Sequence, residues 1–106
     1  MVSSTVEQSD KHYVDPFRFT GPASAAWKKL RANIASSKGA SIIAESETYL
    51  YAEFSSGLFG FVDDVEFAID EKAGVIHARS SSRLGIDDLG VNRKRIERIR
   101  YALLIG

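Results

Sequence analysis

The stretch Phe61-Val62-Asp63-Asp64-Val65-Glu66-Phe67 decides the fold. Apolar and polar residues alternate through it, which is the period of a strand whose two faces meet different surroundings. Phe61, Val65, Phe67 and Ile69 share one face, and Asp64 and Glu66 point from the other. Asp63 breaks the pattern, because it falls with the apolar residues, and an acid on a packing face needs a partner. Val75–Arg83 alternates as well, with Ile76 and Ala78 on one side and His77, Arg79, Ser81 and Arg83 on the other. Joined through Asp70-Glu71-Lys72-Ala73-Gly74, the two runs predict an antiparallel pair. Matching core face to core face sets Phe67 opposite Ile76 and Val65 opposite Ala78. The same register sets Asp64 opposite Arg79 and Glu66 opposite His77, where opposite charges contribute roughly 0.2–1 kcal/mol per pair.

Working outward, Ala40–Ala44 and Tyr49–Ser55 read as two more strands across a short polar turn. Leu50, Ala52 and Phe54 form the packing face of the second, with Tyr49, Tyr51 and Glu53 opposite. Before them, Thr20-Gly21-Pro22 predicts a helix start, with a hydroxyl cap and proline in the first turn. Ala23, Ala26, Trp27, Leu30 and Ile34 make its apolar stripe, and Gly39 ends it. Lys11–Phe19 reads as a strand on an edge, or one entered after a bend, because Pro16 cannot donate to a ladder. Residues 1–10 show no period and are expected to be a flexible N-terminal arm, with residues 11–106 forming one domain.

The last element is a helix expected from about Asn92, its cap, to Leu104, burying Ile96, Ile99 and Leu103. Arg93, Lys94 and Arg95 then occupy a first turn where the helix dipole disfavours positive charge. Asp87 and Asp88 upstream, or a bound anion, would answer them. Between hairpin strands, Leu58-Phe59 sits between Gly57 and Gly60. Two bulky apolar residues there either fold over the open end of the core or form a contact point for a partner or membrane surface.

The order strand, helix, four strands, helix predicts an α+β domain: an antiparallel sheet with both helices on one face. TATA-binding-protein-like and helix-grip-like architectures share this topology, an analogy that carries no claim of DNA binding. The 106 residues suffice for one core, and the 14 basic and 14 acidic residues cancel, so no global field draws the chain to nucleic acid. From Arg79 to Arg100, however, seven Lys/Arg face three acids, leaving room for a local basic patch. The absence of cysteine excludes disulfides, thiol catalysis and cysteine-ligated zinc.

Phe61–Phe67, Arg79-Ser80-Ser81-Ser82-Arg83-Leu84-Gly85 and Asp88-Leu89-Gly90-Val91-Asn92-Arg93-Lys94-Arg95-Ile96-Glu97 together resemble the family catalogued as domain of unknown function 1499. That family usually has alanine where this chain has Ser81. Its pattern commonly opens on Asn-Cys-Val-Ser-Ser, and here Met1 stands in the cysteine's place before Val2-Ser3-Ser4. The resemblance implies an upstream leader, and with it a periplasmic or plastid (thylakoid) setting. It establishes no reaction.

The chemistry is weighed accordingly. His12 and His77 lie in no nucleophile elbow or triad pattern. Asp63, Asp64 and Glu66 cannot all face one metal from a single strand; adding Asp87 or Asp88 could complete an oxygen site for magnesium or calcium, yet no loop spacing demands it. No cofactor is implied. Asp63, Asp64, Glu66, His77, Arg79, Arg83, Asp87, Asp88, Asn92, Arg93 and Arg95 are expected to form a polar network that locks the final helix to the central hairpin. The functional expectation is a non-enzymatic interaction module or accessory subunit with a protein partner, possible in a membrane-associated or photosynthetic complex, with Leu58 and Phe59 as contacts. The alternative is a small-ligand or anion binder using Arg93 and Arg95. An enzyme built on His77 and Glu66 comes third.

Overall fold

A computed structural model describes residues 1–56, 60–84 and 89–105. The chain order is β1 (Val2–Ser3), β2 (Phe17–Arg18), α1 (Ala23–Ser36), β3 (Ala40–Glu45), β4 (Tyr49–Ser56), β5 (Phe61–Asp70), β6 (Val75–Ser82) and α2 (Leu89–Ile105). Four strands run antiparallel as β6-β5-β4-β3. The outer edge of β6 is covered end to end by two short pieces, β2 on Val75 and Ile76 and β1 on Arg79 and Ser80. Both helices pack on one face of this six-stranded sheet and touch each other.

Alternation explains the two layers. On the helix side, Leu50 and Ala52 of β4, Val65 and Phe67 of β5, and Ile76 and Ala78 of β6 are buried. They meet Leu30 and Ile34 of α1 and Ile96 and Ile99 of α2 in one apolar cluster. Each large aliphatic or aromatic side chain removed from water there contributes about 1.5–3 kcal/mol. At the end of α1, Gly39 takes φ +79, and a Cβ on it would lie 2.5 Å from the Ser55 carbonyl oxygen. Only glycine lets β3 start so close to β4.

Several sequence expectations are corrected. Residues 1–10 are no loose arm at their start: Val2 is buried, and the Ser4 amide donates to the Ala78 carbonyl at 2.9 Å. Two paired residues are too few to show a period. The strand expected over Lys11–Phe19 contracts to Phe17–Arg18, with a parallel bridge from Tyr13 to Ser3 before Pro16. Thr20 does not cap α1; Pro22 holds the cap position, without a side-chain hydrogen bond.

The β5–β6 register differs from the expected one by two residues. Phe67 pairs with Ala78, Glu66 with Arg79, Asp64 with Ser81 and Ala68 with His77. A two-residue slip keeps every side chain on its face, so alternation cannot tell the registers apart. The turn decides. Asp70 Oδ1 accepts the Ala73 amide at 3.1 Å, and Gly74 at φ +69 completes a longer turn that sets Asp70 opposite Val75, whereas the expected register would have closed over Glu71 and Lys72 alone.

Helix α2 begins at Leu89, so Asn92 is a buried interior residue and not its cap. Arg93, Lys94 and Arg95 therefore leave the first turn, and the conflict with the helix dipole disappears. Leu58, Phe59, Gly85, Asp87 and Asp88 lie outside the described residues.

Candidate functional site

Because consecutive strand residues point to opposite faces, Asp63 and Asp64 belong to two separate polar clusters. On the covered face, Asp63 Oδ2 meets Arg95 Nη2 at 2.7 Å, and each side chain is only 12% exposed. Arg95 Nη1 also donates to Ser80 Oγ and Asn92 Oδ1, both at 3.1 Å. Ser80 donates to Asn92 Oδ1 at 2.7 Å, and Asn92 Nδ2 donates to Ser82 Oγ at 3.2 Å. The Arg95 guanidinium lies 5.2 Å from the Phe54 ring centroid, a favourable stack for a planar cation. This cluster ties α2 to β4, β5 and β6.

On the uncovered face, β4, β5 and β6 align two tyrosines with three acids and two arginines. Tyr51 donates to Asp64 Oδ1 at 2.5 Å. Arg83 Nη2 donates to the same oxygen at 2.9 Å, to Tyr51 Oη at 3.0 Å and to Glu53 Oε2 at 2.5 Å. Beside this group, Tyr49 donates to Glu66 Oε1 at 2.6 Å, and Arg79 donates to Glu66 Oε2 at 3.2 Å. The expected lock between helix and hairpin is thus divided: Asp63 and Arg95 reach α2, whereas Asp64, Glu66, Arg79 and Arg83 do not.

The electrostatics follow from these contacts. The Arg83 hydrogen bond holds the Asp64 carboxyl below its ordinary value, and Asp64 in turn raises Arg83. Partial burial, then the bond to Glu66, pushes the Tyr49 phenol up to about 12. Tyr51 is raised chiefly by donating to Asp64.

Apart from Tyr49, Tyr51, Glu53 and Phe54 of β4, the residues that build these clusters sit in the three stretches Phe61–Phe67, Arg79–Arg83 and Asn92–Arg95. The family described as protein of unknown function (DUF1499) matches this chain over residues 1–103. The chain belongs to that family. No curated protein and no solved structure matches it.

In this DUF1499 chain the remaining candidates fall outside both clusters. His77 Nδ1 lies 3.0 Å from Ser4 Oγ, and Ser4 Oγ accepts the Ala78 amide at 2.9 Å. The cross-strand partner of His77 is Ala68, so Glu66, held by Tyr49 and Arg79, is not its direct neighbour in the ladder. Arg93 donates to the carbonyls of Tyr13 at 2.8 Å and Lys11 at 2.9 Å, fastening the N-terminal segment. With Arg95 held by Asp63, neither arginine presents the free guanidinium that an anion site at the helix start requires. Among the described residues, no three His, Asp or Glu side chains gather as a metal site would need, and no helix is long and apolar enough to cross a membrane.

Tyr49, Tyr51 and Glu53 were placed on the right face by alternation, but were missed as members of the acid–arginine group. Extending the ladder from β5 to β4 would have found them, since Glu53 pairs with Asp64 and Tyr51 with Glu66. Ser4 had no comparable signal.

Proposed function

We propose that this DUF1499 chain is a non-enzymatic interaction module, and that the uncovered face of its sheet meets a protein partner. One observation carries the reading: that face holds a hydrogen-bonded lattice of tyrosines, arginines and acids whose geometry is set before any partner arrives. Tyr49 is 37% exposed, and the Arg79 and Arg83 side chains are 48% and 45% exposed. Tyrosine and arginine are the residues on which interfaces concentrate binding energy. Groups already held by Glu53, Asp64 and Glu66 lose less side-chain freedom on binding than free ones.

The electrostatics favour binding over proton transfer. A general acid or base works best with a pKa near the operating pH. Here the contacts move Asp64 down and Tyr49 and Tyr51 up, away from neutrality. In this reading the partner belongs to a membrane-associated assembly, and the chain serves it as an accessory subunit.

A photo-crosslinking residue tests the face directly in the full chain expressed in its native cells. Placed at Ser55 or Ala68, on the uncovered face, it should give one shared adduct; placed at Arg98 on α2, it should give none. Absence of adducts at both face positions, or equal yield at Arg98, overturns the proposal.

A further inference from the structure

A second surface lies on the helix side, away from the tyrosine–arginine face. The segment Asp15–Thr20 passes beneath the start of α1 and the end of α2, and leaves a half-open cleft of about 530 Å³. That volume lies within the range of small-molecule sites, which are mostly apolar with a few polar groups. Phe17, Phe19, Ile76 and Leu103 supply apolar lining, and the small side chains of Ala25 and Ala26 leave the space open. One wall is rigid: Arg100 lies 4.8 Å over the Phe17 ring and donates to the carbonyls of Asp15 at 2.6 Å and Pro16 at 2.9 Å.

The charges lining the cleft are unequal. Lys29 and Arg100 face a single acid, Asp15, whereas Arg18, paired with Val75, turns its side chain to the other face of the sheet. Arg100 is engaged by Glu97 and the two carbonyls. Lys29 is exposed, and among the described residues it has no acidic partner within ion-pair distance. An apolar lining beside an unneutralised cation is complementary to a molecule with an apolar tail and an anionic head.

The geometry points to this cleft as a binding site for a small amphipathic anion, a carboxylate or phosphate ester carrying a short hydrocarbon chain. The tail lies against Phe17, Phe19 and Leu103, and the head meets Lys29. The site is independent of the proposed partner face, so either can fail without the other.

Titration of the full chain with decanoate, decanol and decyltrimethylammonium, followed by backbone amide shifts and calorimetry, tests it. Decanoate should saturate, move the amides of Phe17–Thr20, Ala26 and Leu103, and bind at least about tenfold tighter than decanol, one charged contact's worth. Lys29→Glu, at an exposed helix position, should weaken decanoate about tenfold without changing decanol binding. Ala25→Trp should fill the cleft and abolish both. Vesicles of anionic phospholipid, run in parallel, separate a free amphiphile from a bilayer: cosedimentation without saturable decanoate binding overturns the proposal. So does decanoate binding that Lys29→Glu leaves unchanged, or amide shifts lying outside the cleft.

Discussion

Asp63 and Asp64 are neighbours in the chain with the same side chain, yet they sit in opposite physical worlds. Asp63 faces α2, where it and Arg95 are nearly enclosed. Asp64 faces solvent, where it joins Tyr51, Glu53 and Arg83 in a lattice that water can reach. Enclosure makes an ion pair expensive to break, because the surviving charge is stranded in a medium that solvates it poorly. Exposure makes the same pair cheap to break, because water and salt replace the partner. One cluster therefore belongs to the stability of the fold, and the other is free to serve recognition.

The strongest way to break this contrast is to remove each acid in turn. Asp63→Ala should destabilise by about 3–5 kcal/mol, a drop in melting temperature above about 10 °C for a chain this size. Asp64→Ala should lower stability by no more than about 1 kcal/mol, and its effect should shrink between 0.05 and 0.5 M salt while that of Asp63→Ala stays constant. Replacing both enclosed partners, Asp63→Leu with Arg95→Met, should recover most of the loss, because no charge is left unpaired. Equal melting temperatures for the two single variants would show that the faces do not differ.

A smaller effect separates the uncharged parts of the enclosed cluster. Asn92→Ala takes an acceptor from Ser80 and Arg95 and a donor from Ser82. It should destabilise by about 1–3 kcal/mol, the range for leaving buried polar groups unsatisfied, measured by denaturant unfolding at unchanged m-value.

The smallest effects are in pH titration of the uncovered face. The Asp64 carboxyl is held below its ordinary value of 3.8. Its stabilisation is thus present above that value and is lost as pH falls through and below it. Tyr49 has the opposite sense. Its phenol is raised from 10.0 to about 12, so the folded state keeps the proton longer, and stability is lost as pH rises from about 10 through 12. Tyr49→Phe should remove the phenolate absorbance that develops near pH 12. If that late component persists in the variant, Tyr49 is not the phenol that carries it.

Much of this was legible before any coordinates. Two-residue alternation in Phe61–Ile69 and Val75–Arg83 placed Asp63 on the packing face and Asp64, Glu66, Arg79 and Arg83 on the other. The three- and four-residue spacing of Leu30, Ile34, Ile96 and Ile99 placed both helices against the sheet. Such periods report which face a side chain occupies, because burial acts on faces, residue after residue.

What they do not report is which residues meet across strands. The two registers of β5 and β6 bury the same side chains, and only the Asp70–Gly74 turn geometry selects one, giving Glu66 to Arg79. Likewise, Asn92 reads locally as a helix cap because its short amide suits that position. Folding instead starts α2 at Leu89 and buries Asn92, where Ser80, Ser82 and Arg95 satisfy it. Val2–Ser4 reads as a polar tail, yet it pairs with the β6 edge, where the amides and carbonyls of an open edge would otherwise invite another chain. Local sequence determined the faces, since each residue's burial repeats along its own element. Tertiary structure decided the partners, since a contact between residues tens of positions apart depends on turns and edges that no local period encodes.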